Sequence, residues 1–532
     1  MHVAVVGVRG SIDDSIQTGF RMPRYGPVAV GSLLASAGHR VDIYDEGVRE
    51  LDGSAVEALI RADVVAMSVL TYGANRAYAL ASETRRRNPS AVIVMGDVHA
   101  TLMPEHALRY ADFIIRAEGE HTLLALVKAL EIGDAATLYG LAGLSFRGAN
   151  GPIHNEPRAR DRDIDIELEP DRVVGLAQSN LFSTVIEGRR NLHIAQATRG
   201  CPVACTFCLG SKILGGRYRR GNVERVIDDL RRIQRLANRE AQWVLFVDND
   251  LFIDRNFASG LLRAIIAERF TLQFFAFARY PSVANDPELL ELARKANFVR
   301  LFIGFESVNP GTLAEFRKPQ SGATATAAIR AIHAQGLHIH GSFIFGADAD
   351  TTESMRETLD FAIGNRITTA SFFSLTQFPN ECHSGATGTN VIPQNRLVAT
   401  NLDHFDLHRV THLPLQVRPS QLQRQLIDAI RRFYSPVRIA AAFASGDRYR
   451  ALMLASGLWM HRRLLAPMRA HVGWLEQQEK GLYDDRNRLR VDRLPAQHPP
   501  IRDDVRAPRS WNAARGPLGP ISMSRRLVES TQ

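Results

Sequence analysis

Short apolar runs rich in Val, Ile and Phe alternate with helix-like segments twice along this 532-residue chain, and that rhythm limits the folds open to it. In residues 1–150 the runs are "HVAVVGV", "HRVDIYD", "DVVAMSVL", "AVIVMGD" and "DFIIRAEG", with helical patterns such as "GPVAVGSLLASAG" and "NRAYALASETRRRN" between them. Strands apolar on both faces and joined by helices predict a doubly wound parallel sheet, a Rossmann-like α/β domain. Ligands of such sheets bind beyond the carboxyl ends of the strands, where Ser68, Leu70, Gly96 and Glu118 fall. From about residue 191 the rhythm returns with "NLHIAQAT", "WVLFVDND", "LQFFAFAR", "VRLFIGFES", "HIHGSFIFG" and "TASFFSLTQF". Six strand–helix units predict a partial (βα)6 barrel of TIM type over 191–385. The charged stretch 151–190 reads as a linker or strap, 386–490 as a mostly helical C-terminal region, and 491–532, rich in Pro and Arg, as a disordered tail.

With 45% hydrophobic residues the chain can bury sizeable cores. Its four cysteines cannot form a disulfide framework, and the first strand begins without a signal-peptide pattern, so a reducing, cytoplasmic setting is expected. The most apolar run, "ALMLASGLWM" at 451–460, is about half the length that crosses a bilayer, so no transmembrane segment is expected. The net charge of +9 comes from scattered residues, mostly Arg, without an RNA-binding signature, and does not point to nucleic acid as a partner.

Three of the four cysteines lie within eight residues, in "CPVACTFC", as C-x3-C-x2-C on the loop after the first barrel strand. Barrel enzymes place their chemistry on such loops. Zinc prefers four closed ligands, and no second C-x2-C completes that set. A redox pair of Cys205 and Cys208 would leave Cys201 without a task. Three thiolates and no fourth suit an iron–sulfur cluster with one open iron, zinc and structural cysteines being the alternatives. The fourth, Cys382, reads as an incidental loop residue, with a methyl-carrier or substrate-site thiol as the other option.

This pattern, with Phe207 before the last cysteine, resembles the radical S-adenosylmethionine superfamily. "GGRYRRGNVERVIDDL", "FVDNDLF", "FIGFES" and "GSFIFG" continue the likeness at later strand ends. The resemblance implies a [4Fe-4S] cluster held by Cys201, Cys205 and Cys208, its open iron chelating S-adenosylmethionine. A reducing partner such as flavodoxin or ferredoxin would then trigger cleavage to a 5′-deoxyadenosyl radical. By the same analogy Phe207, Asp248, Glu306 and Ser342 contact S-adenosylmethionine, and Gly304, Gly341 and Gly346 admit a flat cofactor close to backbone.

The N-terminal segments "YGPVAVGSLLASAGHRVDIYDE", "VMGDVHATLMPEHAL" and "ADFIIRAEGEHTL" are similar to the domain that precedes the barrel in the cobalamin-dependent branch. That similarity implies cobalamin bordered by Ser68, Leu70, Gly96 and Glu118. The loop after the first strand contains no His, whereas the usual D-x-H-x-x-G motif has one there. Asp97 and His99 imitate half of the motif after the fourth strand, and His99 reads as a structural loop residue, leaving cobalt without a protein imidazole. The tRNA methylthiotransferases, a rival subclass, need three more cysteines before the barrel, and the first 200 residues have none.

Methyl transfer to an unactivated carbon of a small-molecule or lipid substrate is the expected reaction. Cyclisation, oxidation or rearrangement without net methylation is the alternative, and a non-catalytic iron–sulfur or cobalamin sensor is the alternative of another class. Phe433, Tyr434, Trp459 and Trp474 among the arginines of 418–475 either cap the barrel and touch a membrane surface peripherally, or form a helix face packed on the barrel.

Overall fold

The computed structural model describes residues 1–10, 22–160, 164–174, 192–236, 242–318, 321–381, 392–494 and 500–501. All five apolar runs of the N-terminal region are strands: β1 (His2–Gly7), β2 (Arg40–Asp45), β3 (Val64–Ser68), β4 (Val92–Gly96) and β5 (Phe113–Ile115). They pair in parallel in the order β2-β1-β3-β4-β5, so the chain reverses its winding between β1 and β3. Helices on both faces bury the strands on both sides. Val3, Val5 and Val94 enter one core and Ala4, Val6 and Ile93 the other.

Two antiparallel strands, β6 (Leu144–Gly148) and β7 (Gly151–His154), extend this sheet. The sheet therefore runs past residue 150 into the stretch read as linker. A two-residue turn at Ala149 and Asn150, followed by Gly151 at φ +127°, joins the pair; Asn-Gly is a hairpin signal that the charged composition masked. The strap beyond it is packed rather than free. Ile164, Ile166, Leu168 and Val173 are buried, and the Leu168 amide donates to Asp229 at 3.0 Å.

The second sheet has six parallel strands in the order β8-β11-β12-β13-β14-β15. These are β8 (Leu192–Ala195), β11 (Trp243–Phe246), β12 (Gln273–Ala278), β13 (Phe298–Glu306), β14 (His338–Phe345) and β15 (Thr369–Ser374), and β8 does not pair with β15, so the barrel stays open. Their outer faces carry Phe246, Phe274, Leu301, Phe343 and Phe372 against the helices. Asp254, Asp286, Ser321 and Thr351 cap those helices by accepting from backbone amides in the first turn. A short antiparallel ribbon of β9 (Thr198–Arg199) and β10 (Arg219–Arg220) brackets the cysteine loop.

The C-terminal region is helical, with Pro419–Phe433, Pro436–Ala444 and Arg448–Gln478 packed together against β15. Tyr434 anchors them: its hydroxyl donates to the Ala370 carbonyl at 2.7 Å and accepts from the Ala370 amide at 2.9 Å. Phe433 and Tyr434 are buried and Trp474 stacks on His471, while Trp459 is half exposed. The aromatic set expected to act together is thus divided between core and surface. Cys382 and most of the expected tail lie outside the described residues, and no described helix is long and apolar enough to cross a membrane.

Candidate functional site

The loop after β9 carries Cys201, Cys205 and Cys208, all free thiols, at the carboxyl end of the barrel strands. Cys201 and Cys205 are buried, and burial raises both thiol pKa values. The positive charges of Arg279 near Cys201 and of Lys318 near Cys205 oppose that rise. Phe207 packs against Phe316 at 4.9 Å between ring centres, and the Thr206 amide donates to the Phe316 carbonyl, so the loop is pinned to the end of the helix Pro310–Glu315.

Glu306 ends β13 at φ +64°, beside a register shift against β14, and its carboxylate pairs with Lys318 Nζ at 2.8 Å. Lys318 also donates to the Gly304 carbonyl at 2.7 Å. A Cβ on Gly304 would lie 2.3 Å from Glu306 Oε1, so that glycine makes room for the ion pair. A Cβ on Gly346, at φ +104°, would fall 2.7 Å from Leu422 Cδ2, and one on Gly341 would meet Phe343 and Ile367. On the side where a Cβ would project, the protein's own atoms fill the space beside all three strand-end glycines. Ser342 sits half-buried in the row of β14 opposite the core, paired in register with Gly304 and Ser371.

Asp248 was expected to touch S-adenosylmethionine, but its carboxylate is already engaged. It accepts from the Thr198 amide and hydroxyl, both at 2.5 Å, and from the Ala197 amide at 3.2 Å. Burial pushes its pKa up to about 6. Asp248 thus fixes the turn that leads into the cysteine loop. Asp250, two residues on, accepts from Ser282 Oγ at 2.6 Å with its pKa likewise raised to about 6 by burial, and lies in the field of Arg279. Nothing in "VDND" distinguishes the two carboxylates, because only the fold supplies their partners.

Across from this loop stand the strand ends of the N-terminal sheet. Ser68 Oγ donates to Asp97 at 2.6 Å, and Asp97 takes φ +78° directly after Gly96. Leu70 is half-buried, and the hydroxyl of the next residue, Thr71, is buried with no hydrogen-bond partner among the described residues. His99 is fully buried: its Nε2 meets the Tyr78 hydroxyl at 2.6 Å, and that hydroxyl also meets His106 Nδ1 at 2.9 Å. Burial pushes the His99 pKa down to about 3. His99 therefore belongs to the core of the domain, as its reading as a structural residue anticipates.

Glu118, expected beside the cofactor, also spans the two halves. Its carboxylate accepts from Arg219 Nη1 at 2.8 Å and from Arg219 Nη2, and Arg199 Nη1 lies 3.5 Å away. Arg199 also pairs with Glu120 at 2.9 Å and lies over the Tyr25 ring. Glu381, after β15, accepts from the amides of Glu105 and His106, and Asn75 donates to Asn401 and Asp403. Contacts beyond β8 and β15 thus turn the strand ends of the two sheets toward each other. Arg199 and Arg219 escaped the sequence reading; arginines two before and eleven after the cysteine cluster were the only signal.

Comparison with known proteins bears on this arrangement. The family model of the radical SAM superfamily matches residues 196–362, and that of the B12 binding domain matches residues 15–127. The chain is a B12-binding radical S-adenosylmethionine enzyme. It is 28% identical over 348 residues to an uncharacterized methyltransferase of Pyrococcus horikoshii, covering 64% of this chain and 73% of that protein. It is 27% identical over 390 residues to the anaerobic magnesium-protoporphyrin IX monomethyl ester cyclase of Cereibacter sphaeroides, covering 70% of this chain and 60% of that one. Among solved structures, the radical S-adenosylmethionine methyltransferase TsrM of Kitasatospora setae, with cobalamin and a [4Fe-4S] cluster bound, aligns with a TM-score of 0.58 at 18% identity, covering 70% of this chain and 74% of that one.

This pairing of domains implies a [4Fe-4S] cluster, S-adenosylmethionine and cobalamin as the cofactors of the radical SAM enzyme. Its residues suit them. Three free thiols share one loop with two cations close by, as thiolate ligands of a cluster require. The unpartnered Thr71 hydroxyl and the polar Ser68–Asp97 pair border the N-terminal strand ends, where a ligand of a doubly wound sheet sits.

Proposed function

We propose that this enzyme uses S-adenosylmethionine and cobalamin together to methylate an unactivated carbon of a small-molecule or lipid substrate. The observation that carries this reading is the bridge from Glu118 to Arg199 and Arg219, which turns the cysteine loop toward the strand ends of the B12-binding domain. When bound, the cluster and S-adenosylmethionine supply a hydrogen-abstracting radical, and cobalamin supplies a methyl group. Cys201, Cys205 and Cys208 hold the cluster in this reading. Phe207 and Ser342 border S-adenosylmethionine, and Glu306, oriented by Lys318, presents its carboxylate to the same cofactor. Ser68, Leu70 and Gly96 border cobalamin, with no protein imidazole beneath it. Asp248 holds the turn before Cys201, and Glu118 holds the two domains in register. An acidic flavodoxin or ferredoxin supplies the electron.

The methyltransferase relative and the methyltransferase neighbour support methyl transfer, and the cyclase relative supports a second reading in which the same radical drives ring closure without methylation. One experiment separates them. Anaerobic incubation of the reconstituted enzyme with cell extract and S-adenosylmethionine bearing a fully deuterated methyl group should yield a product heavier by three deuterium atoms, alongside 5′-deoxyadenosine and S-adenosylhomocysteine. Product formation with 5′-deoxyadenosine but no label would replace methyl transfer with the cyclase reading.

A further inference from the structure

Ten large apolar side chains are exposed among the described residues, and four of them sit on one helical hairpin. Val437 is 77% and Phe443 68% exposed on the helix Pro436–Ala444, and Leu452 is 39% and Trp459 51% exposed on the helix Arg448–Gln478. Ala440, Ala441 and Ala444 are also exposed and add no polar group to the outer face of the shorter helix. Single exposed apolar residues are ordinary on protein surfaces; such a concentration on two adjacent helices is not.

The hairpin is rigid. Gly457 has no side chain where a Cβ would fall 2.1 Å from the Tyr434 ring, so the helices cross closely there, and Tyr434 is tied to β15 through Ala370. Arg438 lies 4.1 Å over the Phe433 ring and donates to the Phe433 carbonyl, which fixes the start of the shorter helix. A well-held scaffold thus presents the exposed apolar side chains.

Charge selects the occupant. Residues 436–475 contain six arginines and one carboxylate, Asp447, and Arg448, Arg462, Arg463 and Arg469 are exposed. A second copy of the chain would bring the same positive face. The chain's own residues 502–532 contain six arginines against three carboxylates, so they too would bring positive charge. An anionic lipid surface brings the opposite charge, an interfacial layer suited to Trp and Phe, and an acyl region for Val and Leu.

We infer that the hairpin 436–463 is a peripheral docking surface for an anionic lipid bilayer, with Val437, Phe443, Leu452 and Trp459 entering the interface and Arg448 and Arg462 facing the headgroups. This placement stands apart from the reaction proposed above and holds for a lipid-acting or a small-molecule enzyme alike.

Flotation of the full-length protein with vesicles tests it. The chain should float with vesicles of phosphatidylcholine and phosphatidylglycerol, and at least tenfold less with phosphatidylcholine alone. The pair Phe443→Ser and Trp459→Ser should lower partitioning at least tenfold, and the pair Arg448→Glu and Arg462→Glu should remove the dependence on phosphatidylglycerol. Ile132→Ser, a change at an equally exposed apolar residue of the N-terminal domain, should leave flotation unchanged. Unchanged melting temperatures would show that all these surface variants fold. A wild-type chain that stays with the soluble fraction on both vesicles overturns the inference, and so does flotation undiminished by the Phe443 and Trp459 changes. Without vesicle binding, self-association lost in those same variants would assign the face to a second copy, and a cross-link to residues 502–532 would assign it to the chain's own tail.

Discussion

The two parallel sheets of this enzyme differ in what their faces are for. Along β3 and β4 four consecutive residues are buried, because helices cover both sides. Along β14 burial alternates strictly, with Ile339, Gly341, Phe343 and Phe345 inward to the helices and His338, His340, Ser342 and Ile344 only half-buried. A sheet covered on both faces can bind only at its strand ends. The curved sheet is buried on both faces at β8 and β11, but around β14 its inner face stays partly open and offers a lining as well. At its carboxyl edge the N-terminal sheet has polar groups at Ser68, which ends β3, and at Asp97 and Thr71 just beyond the strands, whereas the barrel places Ser342 within a strand. His340 in the same lining bonds Thr369 at 2.9 Å and Ser371 at 3.0 Å, so part of this concave row is already satisfied by neighbouring strands.

The sharpest break between the sheets should come at the cysteines. Changing Cys201, Cys205 or Cys208 to Ala should remove nearly all iron and sulfide from anaerobically reconstituted protein and leave cobalamin binding by the N-terminal domain intact. Stoichiometric zinc without sulfide in the wild-type chain would contradict the cluster assignment.

Acid should act on both halves together. Burial pushes His99, His340 and His404 down to about 3, and His193, His412, His461 and His471 down to about 4. The folded chain therefore binds fewer protons than the unfolded one below the ordinary histidine value of 6.5, and the stability these residues contribute is complete above that pH and lost as pH falls toward 4. Asp248, Asp250 and Asp350, raised to about 6, work the other way and gain stability as pH falls from 6 toward 3.8. Because the histidines are more numerous and more strongly shifted, melting temperature should drop steadily between pH 6.5 and 5. A rise over that interval would show that the aspartates dominate.

The bridge between the sheets comes next. Glu118→Gln would leave Arg219 buried against a neutral partner while Arg199 keeps Glu120, and removing one charge of a buried pair costs about 3–5 kcal/mol. Urea denaturation followed by tryptophan fluorescence should show that loss; less than about 1 kcal/mol would mean that Arg219 does not depend on that charge. The smallest contrast compares the faces directly. Ile93→Ala, in the doubly covered sheet, should cost about 2–5 kcal/mol. Ser342→Ala, in the lining, should change stability by no more than about 0.5 kcal/mol and should instead weaken S-adenosylmethionine binding in calorimetry. Equal costs would erase the distinction between the sheets.

Every strand of both parallel arrays was legible, because a run such as "AVIVMG" or "LQFFAFA" has no stable place except between layers. The β6–β7 hairpin was not, since strands of five and four residues beside a charged stretch carry little apolar signal, and a linker read from residue 151 cut through the pair. The cysteine trio was legible because few chemistries want three thiols at that spacing. Glu118 and Asp248 were placed at the right end of their sheets, but the protein partners they hold were not foreseen. A strand-end carboxylate shows its position through periodicity, but its choice between a ligand, Arg219 or the Thr198 hydroxyl depends on residues distant in the chain. The glycines show the same limit: Gly304 signals a close approach, and the sequence does not say that the Glu306–Lys318 pair makes one there.

The sequence by itself determined the two α/β units, the loop that carries Cys201, Cys205 and Cys208, and the lack of a histidine after β1, all of them local facts of pattern and residue type. Only the tertiary structure decided that His99 is locked to Tyr78 inside a core, that Arg199 and Arg219 meet Glu118 across two domains, and that Phe433 and Tyr434 are buried while Phe443 and Trp459 face outward. Hydrophobic periodicity acts between near neighbours and survives in the order of residues, whereas the pairing of buried charges and the exposure of one side of a helix arise from segments that meet only when the chain has folded.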